Sequence, residues 1–181
     1  MKRIFHPDNF TTVPDGTEVS AFINPTDSVT GSWVEHLPES VSVAAGRIAP
    51  ETLSWIHVLP LVTQITYVVA GNLTARMSKP GEDEPYALEV PAGAAIVTEP
   101  GTLLQLGNET EEPLAVLYIV SPSYVFETDA EDRVVYDDAI LMAEDWKSLS
   151  HDDPDGYAIE DVRARRADAR ARLAGARRAD A

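Results

Sequence analysis

Residues 51–71 read ETLSWIHVLPLVTQITYVVAG, and residues 93–108 read GAAIVTEPGTLLQLGN. In the first stretch the apolar run Leu53–Leu59 is closed by Pro60. The β-branched and aromatic run Gln64–Ala70 then stops at Gly71-Asn72. In the second stretch Ala95–Thr98 ends at Glu99-Pro100-Gly101, and Leu103–Leu106 ends at Gly107-Asn108. Runs of this length and composition, punctuated by Gly and Pro, are strands joined by turns, because β-branched and aromatic side chains fit a pleated surface and Gly and Pro do not.

The pattern continues on both sides. Ser40–Ile48 is rich in Val and Ala and runs into Ala49-Pro50-Glu51. Leu73–Ser78 meets the polar turn Lys79–Pro85, Tyr86–Val90 precedes Pro91-Ala92-Gly93, and Leu114–Val120 ends at Ser121-Pro122. Short strands at roughly 8–12-residue spacing with Gly/Pro turns predict an all-β sandwich or barrel. Before it, residues 1–39 form an arm in which turn formers alternate with short apolar pieces such as Val19–Ile23; these predict one or two edge strands. The barrel covers residues 40–126. Residues 127–158 read as an acidic loop with short elements, a strand and a short helix within Val134–Trp146. Residues 159–181 read as an Arg/Ala-rich helical tail, since both residues favour helix. Its only large apolar side chains are Ile159, Val162 and Leu173, so it is expected to fray or to lie on an acidic face.

The two opening stretches resemble the paired motifs of the cupin superfamily. The first family motif is G-x5-H-x-H-x3–4-E-x6-G; here its positions hold Glu51, His57, Leu59, Gln64 and Gly71. The second is G-x5-P-x-G-x2-H-x3-N; here it holds Gly93, Glu99, Gly101, Leu104 and Asn108. The spacing fits throughout, and Gly71, Gly93, Gly101 and Asn108 match in kind. The resemblance covers the central barrel and implies a jelly-roll (cupin) β-barrel with an N-terminal arm and a C-terminal helical tail. Residues two apart on a strand point to one face, so a His-x-His pair aims both rings inward. A carboxylate and a third His then complete a site for Fe, Mn, Ni or Zn.

In this chain the four ligand positions read His57, Leu59, Gln64 and Leu104. Leucine ligates nothing, and a neutral amide does not offset a divalent cation. The expectation is a metal-free barrel with no cofactor, which sets aside the redox activities of the family. Displaced ligands, with His57 joined by Glu99 or His36, are the competing metal reading.

By the same alternation Trp55, His57 and Leu59 share one face, Gln64 and Thr66 another, and Leu104 and Leu106 a third, giving a mostly apolar cavity with a few polar groups. The expected roles follow. His57 transfers a proton or orients a substrate, or it is a relic held by a backbone carbonyl. Gln64 and Thr66 hydrogen-bond the ligand, and Trp55, Leu59, Leu104 and Leu106 form the wall. Tyr118 lies on the final strand; it packs in the core or offers its phenol as a general acid. Arg76 is expected to face outward, and Glu99, His6, His36 and His151 to be exposed. The function expected is non-redox chemistry on a small organic molecule: isomerisation, epimerisation, dehydration or cyclisation. The alternatives are a non-catalytic binding or structural cupin, and a metal-dependent cupin with displaced ligands.

Composition narrows the partners. The 181 residues carry a net charge of −16 and no cysteine, which excludes disulfides and thiol catalysis. From Asp161 onward there are seven Arg and three Asp, so the rest of the chain stands at −20. A body this acidic repels nucleic acid and anionic membranes, and the basic tail is expected to tether to it. The acidic runs lack the spacing of a calcium loop and read as solvated faces. No apolar run reaches the roughly 18 residues of a membrane span. With no secretory leader visible, the expected address is cytoplasmic. A homodimer is expected, both because related barrels pair through their sheets and because the strand pieces of the arm need neighbours.

Overall fold

The computed structural model describes residues 4–25, 40–79, 82, 85–131, 133–149 and 157–179. In chain order the strands are Thr11–Thr12 (β1), Glu18–Ile23 (β2), Ser42–Ile48 (β3), Thr52–Leu53 (β4), Ile56–Val58 (β5), Thr63–Ala70 (β6) and Asn72–Ser78 (β7). They continue with Tyr86–Pro91 (β8), Ala95–Thr98 (β9), Leu103–Asn108 (β10), Leu114–Ser121 (β11), Phe126–Thr128 (β12), Val134–Asp137 (β13) and Ile140–Ala143 (β14), and the chain closes with the helix Ile159–Ala179 (α1). One sheet runs β1-β2-β3-β11-β6-β9; the other runs β14-β5-β10-β7-β8, with β4 also on β10. All pairings within them are antiparallel. The result is a jelly-roll β-sandwich, as the strand spacing predicts.

The alternation of the sequence decides what lies between the sheets. Leu114, Val116, Tyr118 and Val120 of β11 point inward with Val68 of β6, Leu73, Ala75 and Met77 of β7, and Leu104 and Leu106 of β10. Burying each large aliphatic side chain contributes about 1.5–3 kcal/mol, so this layer is the main source of stability. The motif glycines Gly71, Gly93 and Gly101 all have positive φ, a conformation that a Cβ resists. Asn108 is wholly buried. Its Nδ2 donates to the carbonyls of Ile48 (3.1 Å) and Glu112 (2.8 Å), and its Oδ1 accepts from Thr110 N and Oγ1. The motif asparagine therefore pins the β10–β11 turn to β3.

Segments outside residues 40–126 join both sheets. β2 pairs with β3, so this strand of the arm finds its neighbour within the chain and needs none from a second copy. The segment Val134–Trp146 holds two strands where a strand and a short helix were expected. β14 finds an open partner in β5, with Leu141 opposite His57. Asp145 Oδ1 then accepts from Lys147 N (2.9 Å) and Ser148 N (2.8 Å), a side-chain turn in place of a helix. The segment after β14, residues 144–149, folds over the β5–β10 part of the outer face of the second sheet. Ile56, Val58, Leu103 and Ala143 form a small core there, and Trp146 Nε1 donates to Gln105 Oε1 at 2.9 Å.

The tail is built into the molecule. Val162, Arg166, Ala169 and Leu173 fall on one face of α1 and are buried; Ala169 and Leu173 pack on Val125 and Tyr136. Arg166 is 7% exposed and makes a forked pair with Asp138 (2.8 and 3.0 Å), while its Nη2 also donates to the Ser123 carbonyl. Arg172 grips Glu127 in the same two-pronged way. The helix thus lies against its own acidic body. Among the described residues no helix is long and apolar enough to cross a membrane.

Candidate functional site

β5 is three residues long, and its central side chain, His57, turns into the barrel while Ile56 and Val58 turn out beneath residues 144–149. His57 is 6% exposed. Its Nδ1 lies 3.1 Å from the Trp55 carbonyl oxygen. A carbonyl only accepts, so Nδ1 carries a proton, and in the neutral tautomer the lone pair sits on Nε2.

The same Nδ1 lies 3.9 Å from Oδ2 of Asp15. Asp15 sits in the tight turn before β2, where Gly16 has φ +91°. Its Oδ1 accepts from Thr17 N (2.9 Å) and Thr17 Oγ1 (2.8 Å), and its carbonyl accepts from Trp55 N (2.9 Å). The arm thus hooks onto the start of β5 and presents a fixed carboxylate to the imidazole. In the sequence Pro14-Asp15-Gly16 reads only as a turn; its pairing with His57 across 42 positions has no local signal.

Tyr118 faces inward, which settles the question its strand position left open. Its ring lies over Gly46 of β3, where an added Cβ would overlap the ring and come within 2.8 Å of Val116. Burial, and then the Asp15 carboxylate, push the Tyr118 hydroxyl above its ordinary pKa, so it stays protonated as a donor. Gln64 and Thr66, also inward, bond one another through Gln64 Nε2 and Thr66 Oγ1 at 3.1 Å. Thr66 stands opposite Tyr118 in the ladder. Leu59, Leu104 and Leu106 belong to the buried layer beside them.

Trp55 departs from the expected wall. Its side chain is 42% exposed, and it serves His57 through its backbone. Alternation breaks down here because the chain at Ser54 and Trp55 lies between β4 and β5, outside any strand. Arg76 faces outward and pairs with Glu109. Glu99 is exposed with Lys79 3.6 Å away, and His6 is exposed; His36 and His151 lie outside the described residues.

A second acidic pair adjoins β14. Tyr124 donates its hydroxyl to Asp137 Oδ1, which also accepts from Ala139 N at 2.9 Å. Removal from water pushes the Asp137 carboxyl up to about 6; the hydrogen bonds from Tyr124 and Ala139 oppose this, and the neighbouring Asp138 and Asp15 charges add to it. Neither Asp137 nor Tyr124 is signalled by the motifs.

Among the described residues no hydrogen bond reaches His57 Nε2, Tyr118 Oη or Gln64 Oε1. Among the described residues the only side-chain nitrogen or oxygen both sealed from solvent and unbonded is Arg76 Nη1, so these three atoms border accessible space. Asp15 lies beside His57 and acts on Tyr118, and Gln64 bonds Thr66, which stands opposite Tyr118.

The metal of the resembled motif does not fit this donor set. Leu59 and Leu104 are packed core, Gln64 Nε2 is engaged with Thr66, and the Nδ1 of His57 with Trp55. At the motif positions one imidazole nitrogen and one amide oxygen remain, and even with Asp15 nearby no three His, Asp or Glu side chains gather to hold a metal among the described residues.

Compared by sequence, the chain matches no protein family and no curated protein. Compared by structure, it is similar to the capsular polysaccharide assembling protein CapF of Staphylococcus aureus, with a TM-score of 0.55 and 12% identity over 78% of this chain and 32% of that one. It is also similar to the oxalate decarboxylase of Lactobacillus farciminis, solved with formate, with a TM-score of 0.53 and 16% identity over 74% and 33%. A third similar structure is Drosophila melanogaster CENP-C bound to CAL1, with a TM-score of 0.51 and 15% identity over 62% and 79%. The chain thus spans about a third of the length of the first two. At these identities the likeness is one of fold alone, a cupin fold.

Proposed function

On this cupin fold, we propose that the chain binds a small organic molecule within the barrel and moves a proton on it with His57, without redox change. The products would be those of isomerisation, epimerisation, dehydration or cyclisation. The observation that supports the reading is buried His57 held through Nδ1 with the Asp15 carboxylate 3.9 Å away, on the inward side where Tyr118 and Gln64 also lie.

In this reading Nε2 takes the proton from a carbon or hydroxyl of the substrate. The imidazolium that forms stays hydrogen-bonded to the Trp55 carbonyl and lies near Asp15, which stabilises its charge. Tyr118, held protonated, donates to the oxygen on which negative charge develops or returns the proton at another atom. Gln64 and Thr66 orient the substrate, and Leu59, Leu104 and Leu106 exclude water. No step needs a metal.

The test is solvent exchange. The protein is incubated in D2O with a small-metabolite extract, and deuterium gained by individual compounds is read by mass spectrometry. Wild type is expected to label one compound class, and His57→Asn, with its fold intact, to lose about 10²–10⁴-fold in rate. Gln64→Ala should weaken binding more than turnover. Labelling by His57→Asn at the wild-type rate would remove the proton-transfer role. A compound that binds wild type without labelling would favour a non-catalytic binding barrel, a reading to which the packing of Leu59 and Leu104 in the core lends support.

A further inference from the structure

The inner face of the second sheet reaches solvent at its β14 edge, since β14 ends the strand order there. Leu141 stands opposite His57 in the ladder, so the two side chains share a face. Ile140 and Met142 turn the other way, onto the small outer core. His57 is 6% exposed and Leu141 37%, so the row that starts at the imidazole ends in water at the leucine. Carboxylates flank this row. Asp15 Oδ2 lies 3.9 Å from His57 Nδ1, held there by the bonds of its turn to Thr17 and Trp55. Asp137 leads into β14 and is partly exposed. Its partner Tyr124 and the following Ala139 pack on the inner core, and the Asp15 charge is felt at Asp137. The rim beside His57 therefore carries an apolar side chain and two carboxylates.

No cation balances them among the described residues of the barrel. Arg47 and Arg76 are the only Lys or Arg on the described strands. Arg47 lies over the Phe10 ring and Arg76 pairs with Glu109, both on outer faces. Arg166, the arginine behind Asp138, spends Nε and Nη2 on Asp138 and on the Ser123 carbonyl. The inward polar groups Gln64, Thr66 and Tyr118 are neutral.

We infer that the site selects by charge: it admits an uncharged, largely apolar molecule past Leu141, and Asp15 and Asp137 turn carboxylates and phosphates away. This rests on the reading that the barrel binds a small organic molecule beside His57. An anion would give up its hydration here without meeting a cation, and would face carboxylates where the surroundings screen poorly. The net charge of −16 also thins anions around the molecule before they arrive. A cation would lose its hydration against Leu141, Leu104 and Leu106, and would repel the imidazolium that proton transfer creates. An uncharged molecule meets neither obstacle. Its apolar part lies on the leucines, and one hydroxyl or carbonyl reaches His57 Nε2, Gln64 or Tyr118. Selectivity of this kind comes from rejection as much as from attraction.

Benzyl alcohol, benzoate and benzylammonium share a ring and differ in charge. Each is titrated into the full chain at pH 7.5, and the His57 imidazole signals, assigned by their loss in His57→Asn, are followed by NMR. Benzyl alcohol is expected to bind at least about tenfold more tightly than either ion. Asp15→Asn keeps an acceptor for Thr17, and Asp137→Asn keeps one for Tyr124; each should narrow the gap between benzyl alcohol and benzoate by roughly threefold or more. Leu141→Asp should weaken benzyl alcohol. The readout needs no proton transfer, so it stands apart from the labelling experiment. Benzoate or benzylammonium binding beside His57 as tightly as benzyl alcohol would overturn the inference and leave the binding barrel standing. A gap unchanged in both Asn variants would overturn the role of the carboxylates. His57 signals that respond to none of the three compounds would overturn the inference together with the reading it rests on.

Discussion

At the scale of single residues, Glu51 is the most informative departure from the resembled motif. It stands where the first motif has glycine, yet its backbone keeps the left-handed conformation, with φ 53°. The turn between β3 and β4 demands that geometry, and Glu51 N donates to the Thr110 carbonyl from it. A side chain in this region costs about 1–2 kcal/mol. Glu51→Gly is therefore expected to stabilise the fold by about 1 kcal/mol, less whatever the freer unfolded chain takes back. Urea unfolding checks it, and a loss of stability would mean that the Glu51 side chain makes a contact of its own.

Among the secondary elements, the helix shows how a buried face can be invisible to a count of large apolar residues. Val162, Arg166, Ala169 and Leu173 are spaced i, i+4, i+7 and i+11, but the middle of the stripe is an arginine and an alanine. What the sequence presents as a loosely apolar tail is fastened by the Arg166–Asp138 pair, with Asp138 only 3% exposed. Asp138 also accepts from Val125 N (2.8 Å) and Tyr136 Oη (2.9 Å), so the pair closes the β12–β13 corner. Removing one partner of a buried pair leaves an uncompensated charge and costs about 3–5 kcal/mol. Arg166→Met is expected to lower stability by about 3 kcal/mol in thermal or urea unfolding. Deletion from Arg163 onward, which removes the same pair, should cost at least as much.

Across the whole molecule, stability should depend on pH through Asp137. Its pKa is raised in the folded protein from 3.8 to about 6, so the folded state binds the proton more tightly than the unfolded one. The stability from this group is fully present below about pH 4 and is lost as pH rises through about 6. Asp137→Asn keeps an acceptor for Tyr124 and for Ala139 N but cannot ionise. It is therefore expected to be more stable than wild type at pH 7.5, with the gap closing toward pH 4. Parallel urea titrations at both pH values measure this, and a gap independent of pH would show that Asp137 does not titrate in this range.

The sandwich was legible in the sequence because strands and tight turns are local. Period-2 alternation assigned the inward faces of β6 and β10 but left that of β11 open, and Gly71, Gly93 and Gly101 marked turns made at positive φ. That His57, Leu59, Gln64, Thr66, Leu104 and Leu106 share inward faces followed from the same periodicity, whereas the replacement of metal-binding side chains is what the motif resemblance implies. The remainder was decided by contacts between distant parts of the chain. Asp15 meets His57, Asp138 meets Arg166, and β14 lies on β5 only after the sheets close, since each pairing joins segments that share no short-range pattern. Trp55 was misplaced because alternation holds only within a strand, and the chain there is between two.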